Sequence, residues 1–167
     1  GVFILRFGVN FNLYYFLLIR RFKDVFRSEE LQVYCGIVVV SVVAIAANIA
    51  RMYGSFASGL RYAFFQVASI ITTTGYSTVD FDLWPSFSKT ILLLLMVSGA
   101  CAGSTGGGIK VARVLLLFKS LRRNIRQVLR PNSVQVIRSN GQVTDEKVVT
   151  NTNAYLAAYV IIMVVSV

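Results

Sequence analysis

Three stretches of the chain, residues 31–50, 90–109 and 148–167, are mainly apolar and carry no charge. Each has the length of about 20 residues that crosses a hydrocarbon core as a helix. A fourth, residues 7–19, is also uncharged but shorter, and reads as the tail of a helix that begins earlier. Between the first two long stretches lies residues 55–71 (SFASGLRYAFFQVASII), apolar and aromatic but too short to span, with Arg61 inside it. The pattern predicts an all-α membrane protein whose short apolar helix dips into the bilayer between two spanning ones.

Composition agrees. The 167 residues are 56% hydrophobic and 14% charged, with a mean hydropathy of +0.67, against roughly 25% charged residues in an average soluble domain. This excludes a disordered chain. There is no His, and Cys35 and Cys101 stand alone in apolar or Gly-rich surroundings, so neither a disulfide framework nor a CxxC metal site is expected. With the seven acidic residues scattered, no catalytic constellation exists and no enzyme is expected. The first residue is Gly1, and the chain stops inside an apolar run, so a piece of a longer membrane protein is expected, with no signal peptide at its start.

The net charge of +10 is concentrated. Arg20, Arg21, Lys23 and Arg27 form one cluster; Lys110, Arg113, Lys119, Arg122, Arg123, Arg126 and Arg130 form another. Placing both on the cytoplasmic side satisfies the positive-inside rule and puts residues 51–89 outside or re-entering from outside. The second cluster also has the one-sided spacing of a nucleic-acid or anionic-lipid surface. It lacks interleaved aromatics and adjoins a membrane segment, so a cytoplasmic helix extension is expected and nucleic acid is not. Beyond Pro131, Asn140-Gly141 sits between short β-prone runs, which predicts a small cytoplasmic β-hairpin.

The short helix leads directly into Thr72-Thr73-Thr74-Gly75-Tyr76-Ser77-Thr78. Potassium filters replace the hydration shell of the ion with backbone carbonyls from a TVGYG-like strand. Thr73-Thr74-Gly75-Tyr76-Ser77 overlays that pattern, with Thr74 in place of Val and Ser77 in place of the last Gly. Gly75 frees the backbone to turn its carbonyl into a pore. Thr73, Thr74, Gly75 and Tyr76 are therefore the candidate potassium ligands. A Thr-rich extracellular turn is the plainer alternative, and the position after a short apolar helix favours the filter.

The third feature is Ser98-Gly99-Ala100-Cys101-Ala102 followed by Gly103-Ser104-Thr105-Gly106-Gly107-Gly108-Ile109-Lys110. Each Gly costs a helix about 1 kcal/mol relative to Ala, so five in this run predict a break. A break at membrane depth must be buried or line a cavity. Lying on the cytoplasmic side of the filter, it is a candidate gate made of Gly103, Ser104, Thr105, Gly106, Gly107, Gly108 and Lys110. A phosphate-binding loop is excluded because Ile109 separates Gly108 from Lys110 and Val111 follows. Gly99 and Gly103 also have the spacing of a close helix-packing face.

These two stretches, with Gly8-Val9-Asn10-Phe11, Leu13-Tyr14-Tyr15 and Asp82-Leu83-Trp84-Pro85, resemble the TrkH/TrkG/KtrB superfamily of potassium uptake proteins. The resemblance implies four helix–pore-loop–helix repeats in one chain, arranged as a pseudo-tetrameric, potassium-channel-like transporter fold. On that pattern residues 1–19 end a preceding transmembrane helix, 20–30 are a basic cytoplasmic linker and 31–54 the outer helix. Residues 55–88 hold the pore helix, filter and extracellular loop. Residues 89–130 form the broken inner helix with its basic extension, 131–147 the hairpin linker, and 148–167 the start of the next helix. It further implies a multi-pass protein of the cell (inner) membrane and potassium uptake gated by the Gly-rich loop. The expected partners are the lipid bilayer, a second copy in a homodimer, and a cytoplasmic RCK-type nucleotide-binding subunit of the TrkA/KtrA kind. Two other readings remain: a two-helix potassium channel subunit that forms a homotetramer, and the membrane anchor of a receptor.

Overall fold

The computed structural model describes residues 1–129, 138–139, 142–143 and 146–166. The chain divides into two units, Gly1–Val111 and Ala112–Val167.

The first unit is helical, with α1 Val2–Phe7, α2 Phe11–Leu18, α3 Phe22–Phe26, α4 Glu29–Ile49, α5 Phe56–Ile71 and α6 Ser86–Ser98. Helix α4 opens at Ser28, whose hydroxyl oxygen accepts the Leu31 N–H at 3.5 Å. Its Tyr34, Val38, Val42, Ile45 and Ile49 recur every three or four residues and form one buried stripe, while Val39, Val40 and Val43 stay exposed. Against the stripe pack Ala63, Val67 and Ile71 of α5 and Leu92 and Leu95 of α6. The α4–α5 approach depends on Gly59, where a β-carbon would lie 3.2 Å from the Ala46 carbonyl oxygen. A 3₁₀ turn, Phe81–Leu83, delivers Trp84 into this core. There its indole N–H donates to the Tyr53 hydroxyl at 3.2 Å.

The backbone breaks where the glycines predict: α6 ends at Ser98 and the chain stays non-helical through residue 110, so the uncharged window 90–109 does not span as one helix. Among the described residues, the two helices long and apolar enough to cross a membrane are Glu29–Ile49 and Lys147–Val165. One expectation changes: residues 7–19 are not the tail of one helix. The chain breaks between α1 and α2, where the Asn10 carboxamide caps α2 by accepting the Asn12 N–H at 2.9 Å. At Gly8 a β-carbon would run into the Tyr34 hydroxyl and sit 2.9 Å from the Thr72 methyl group, so the break lies where the chain must pass close to α4 and the end of α5.

The second unit contains most of α7 (Val111–Leu129), and α8 (Glu146–Ser166). The Arg113 guanidinium lies 4.0 Å from the centroid of the Tyr155 ring, and the Asn153 side-chain amide donates to the Ser120 hydroxyl at 3.4 Å. Strands β1 (Arg138–Ser139) and β2 (Gln142–Val143) pair antiparallel, with Arg138 opposite Val143 and Ser139 opposite Gln142. The Asn140-Gly141 turn expected between them falls outside the described residues.

Candidate functional site

The segment after α5 is set by the end of that helix. Thr73 N–H donates to the Ile70 carbonyl at 2.9 Å, and the N–H groups of Thr74 and Gly75 both reach the Ser69 carbonyl, at 2.9 and 3.4 Å. The Thr72 hydroxyl donates to the Ala68 carbonyl at 2.7 Å and lies 2.8 Å from the Thr74 hydroxyl. With the single Thr72 proton used on Ala68, Thr74 is the donor of that pair. Thr73 has φ +56° and Gly75 φ +81°. A left-handed conformation at a β-branched residue such as Thr73 is strained and is kept only where its surroundings enforce it.

Thr73, Thr74, Gly75 and Tyr76 are all exposed, Tyr76 at 71%, and nothing lies within 4 Å of a β-carbon built on Gly75. Among the described residues no hydrogen bond ends on the carbonyl oxygens of these four residues. Backbone acceptors inside a membrane protein are rarely left without partners. A consecutive set of open carbonyls beside threonine hydroxyls is a hard-oxygen surface suited to an alkali cation. Among the described residues no group of three or more His, Cys, Asp or Glu side chains gathers as a metal site.

The glycine-rich loop is closed at its base. Ile109 N–H donates to the Val97 carbonyl and Val111 N–H to the Ala100 carbonyl, each at 3.1 Å. Gly99 starts the excursion at φ +66°, ψ −166°, a region essentially reserved for glycine. A β-carbon there would collide with the Gly107 carbonyl oxygen. Within the loop the Ser104 hydroxyl donates to the Cys101 carbonyl at 2.6 Å, and the Lys110 ammonium donates to the carbonyls of Gly106 and Ser104.

The two segments touch. Gly107 N–H donates to the Thr73 hydroxyl at 2.8 Å, and a β-carbon on Gly106 would stand 2.8 Å from Cβ of Ala100 and 3.4 Å from the Thr72 carbonyl oxygen. The structure thus brings Thr73 onto Gly107 and Thr72 onto Gly106, whose carbonyl Lys110 holds. Gly103 and Thr105 face the other way, toward the α1–α2 break: Phe11 N–H donates to the Gly103 carbonyl at 3.2 Å and the Thr105 hydroxyl to the Phe7 carbonyl at 3.4 Å. Cys101 N–H completes the junction on the Gly8 carbonyl at 3.0 Å.

Three participants carried no assigned role in the sequence reading. Gly8 and Asn10 belong to a stretch notable there only for its resemblance, yet they form the seat of the loop. Glu30, in the first turn of α4, accepts the Ala102 N–H through its carboxylate. Its sequence position beside Ser28 is fully accounted for as a helix start, so no local signal marks the long-range contact.

Comparison with known proteins identifies the family. The sequence profile of the TrkH family, described as "Cation transport protein", matches residues 36–167. The chain belongs to the TrkH family. It is 35% identical over 169 aligned residues to the Trk system potassium uptake protein TrkH of Salmonella typhimurium, covering 99% of this chain and 35% of that protein. It is 29% identical to the Trk system potassium uptake protein TrkG of Escherichia coli, over 98% of this chain and 34% of that protein. The crystal structure of the potassium transporter TrkH from Vibrio parahaemolyticus superposes with a TM-score of 0.87 at 31% identity, over 98% of this chain and 36% of that one. The chain therefore spans about a third of the length of these relatives. The family is one of membrane transport proteins rather than enzymes.

Proposed function

We propose that this chain supplies one repeat of a potassium uptake pathway, with the open carbonyls of Thr73, Thr74, Gly75 and Tyr76 forming a quarter of the filter. The observation that carries this reading is a run of four exposed residues whose carbonyls accept no hydrogen bond among the described residues, held in place by the end of α5. An ion that sheds water needs acceptors already in position, and hydrogen bonds to Ser69 and Ile70 fix these in advance. In this reading α4 is the outer helix, α5 the pore helix and α6 the first half of the inner helix. The exposed apolar residues Val39, Val40, Val43, Leu93, Leu94 and Met96 face lipid or the other repeats.

The glycine-rich loop is the gate. It lies against Thr73, and Lys110 holds its own carbonyls from within, so the loop obstructs the path beside the filter and opens by breaking a few backbone hydrogen bonds. The basic α7 and the β1–β2 pair lie on the cytoplasmic side, as the contact surface for an RCK-type regulatory subunit. The complete protein is a homodimer in the inner membrane.

The test is rubidium uptake into vesicles, with sodium as competitor, by a polypeptide of the relatives' full length that carries this segment. Gly75→Ser is expected to cut the preference for rubidium over sodium at least tenfold, a difference of about 1.4 kcal/mol, because the side chain strains a left-handed backbone. Uptake with undiminished selectivity would move the filter away from Gly75.

A further inference from the structure

The gating loop is held from two sides. On one side its second half meets the proposed filter through Gly107 and Thr73. On the other, its first half meets α1–α2 through Cys101 and Gly103, and α4 through Glu30. The Cys101 and Gly103 bonds are backbone to backbone, and Gly107 meets a neutral hydroxyl. The Glu30 contact differs: it joins the loop to the long outer helix through one ionisable side chain, 72 residues away in sequence.

Glu30 also differs from its neighbour. Both Glu29 and Glu30 occupy the first turn of α4, where a carboxylate is favoured by the helix dipole. Glu29 remains half-exposed, as that role permits, whereas Glu30 is only 9% exposed. Burying a carboxylate is unfavourable unless specific donors compensate. The compensating donor is the Ala102 N–H, a charge-assisted hydrogen bond of the stronger kind. Ala102 follows Cys101, whose N–H is fixed on the Gly8 carbonyl, and precedes Gly103, whose φ of +70° turns the chain. The carboxylate therefore holds the loop just before its turn.

We propose that Glu30 is a positioning residue for gating: its carboxylate latches the loop at Ala102 in the obstructing position, so that movement of the start of α4 is transmitted to the loop. The inference deepens the transport reading given above and rests on it. The latch requires reach rather than charge alone, because the acceptor must meet one backbone N–H.

Two variants separate that requirement from the helix-dipole role. Glu30→Asp keeps the charge in the first turn but is one methylene too short to reach Ala102. Glu30→Gln loses the charge but keeps an acceptor oxygen at the same reach. In a full-length polypeptide carrying this segment, Glu30→Asp is expected to raise basal rubidium flux about tenfold, the lower end of what a hydrogen bond to a charged group contributes. The rubidium-to-sodium ratio stays at the parent value, because the filter is untouched. Glu30→Gln is expected to restore low basal flux. The reverse order, with Asp at parent flux and Gln raised, would assign Glu30 to the helix terminus alone and overturn the latch. Parent flux in both variants, or a flux change accompanied by altered selectivity, would also overturn it. Amide hydrogen exchange at Ala102 in the parent gives a reading independent of any variant: slow exchange is expected, and rapid exchange defeats the proposal even if Glu30→Asp does not fold. Gly75→Ser run alongside isolates the other failure, since selectivity indifferent to that change sinks the filter reading while the exchange result still judges the contact.

Discussion

Two non-helical segments of the Gly1–Val111 unit, 72–78 and 99–110, are both built around glycine, and they are held in opposite ways. The first is bonded to the helix that precedes it, through the Ala68, Ser69 and Ile70 carbonyls, and its outer side is open. The second is bonded to residues far away in sequence: Gly8, Phe11, Glu30 and Thr73. Glycine serves conformation alone in the first and both conformation and space in the second. Gly75 has a positive φ with nothing near a β-carbon, whereas Gly99 and Gly108 have positive φ and also face each other's backbone, a β-carbon on Gly108 lying 3.1 Å from the Gly99 Cα. A locally determined segment keeps its shape while its surroundings move, which suits a filter. One defined by distant partners changes when those partners shift, which suits a gate.

The largest expected effect falls on the crowded segment. Gly99→Ala places a β-carbon against the Gly107 carbonyl in a glycine-only conformation. Backbone strain and overpacking should each remove about 1–3 kcal/mol of stability. Thermal unfolding in detergent measures this, and an unchanged midpoint would break the distinction between the two segments. Gly75→Ala should lower stability by only about 1–2 kcal/mol, the strain of a left-handed residue with no clash; a loss as large as that of Gly99→Ala would show that open space around Gly75 is not what the chain keeps there.

Thr73→Val removes the side-chain acceptor through which the segments meet. With about 1 kcal/mol lost, amide exchange at Gly107 should quicken roughly fivefold, and no change would mean that the loop keeps its place without Thr73. The smallest effect, with opposite sign, is expected at a third kind of glycine. Gly36 sits mid-helix in α4 with ordinary φ and nothing within 4 Å of a β-carbon. Gly36→Ala should raise stability by about 0.5–1 kcal/mol, visible as a slightly higher unfolding midpoint; destabilisation would place a packing partner at that face.

Much of the helical framework was legible because its signals are local. The uncharged run at 31–50 has the length of α4. The short apolar helix before Thr72 follows from where its apolar run ends. In the run at 90–109 hydropathy alone would give one span, and the five glycines of its second half correct it, because small residues are apolar but poor at holding a helix. The break at Gly8 was hidden, inside an uncharged stretch whose capping residue, Asn10, is a single position.

Length, hydropathy, charge clusters and the Thr-Gly-Tyr and Gly-Ser-Thr-Gly-Gly-Gly stretches suffice to indicate a helical membrane chain of the TrkH kind, because each is a property of neighbouring residues. Tertiary structure alone decided that the glycine-rich loop closes on the end of α6, rests on Thr73, sits against Gly8 and is gripped by Glu30. The contacts to Thr73 and Glu30 join residues 34 and 72 positions apart, and a hydrogen bond between such distant groups leaves no periodicity in the sequence. Only the packing of α4, α5 and α6 brings the donors and acceptors within reach.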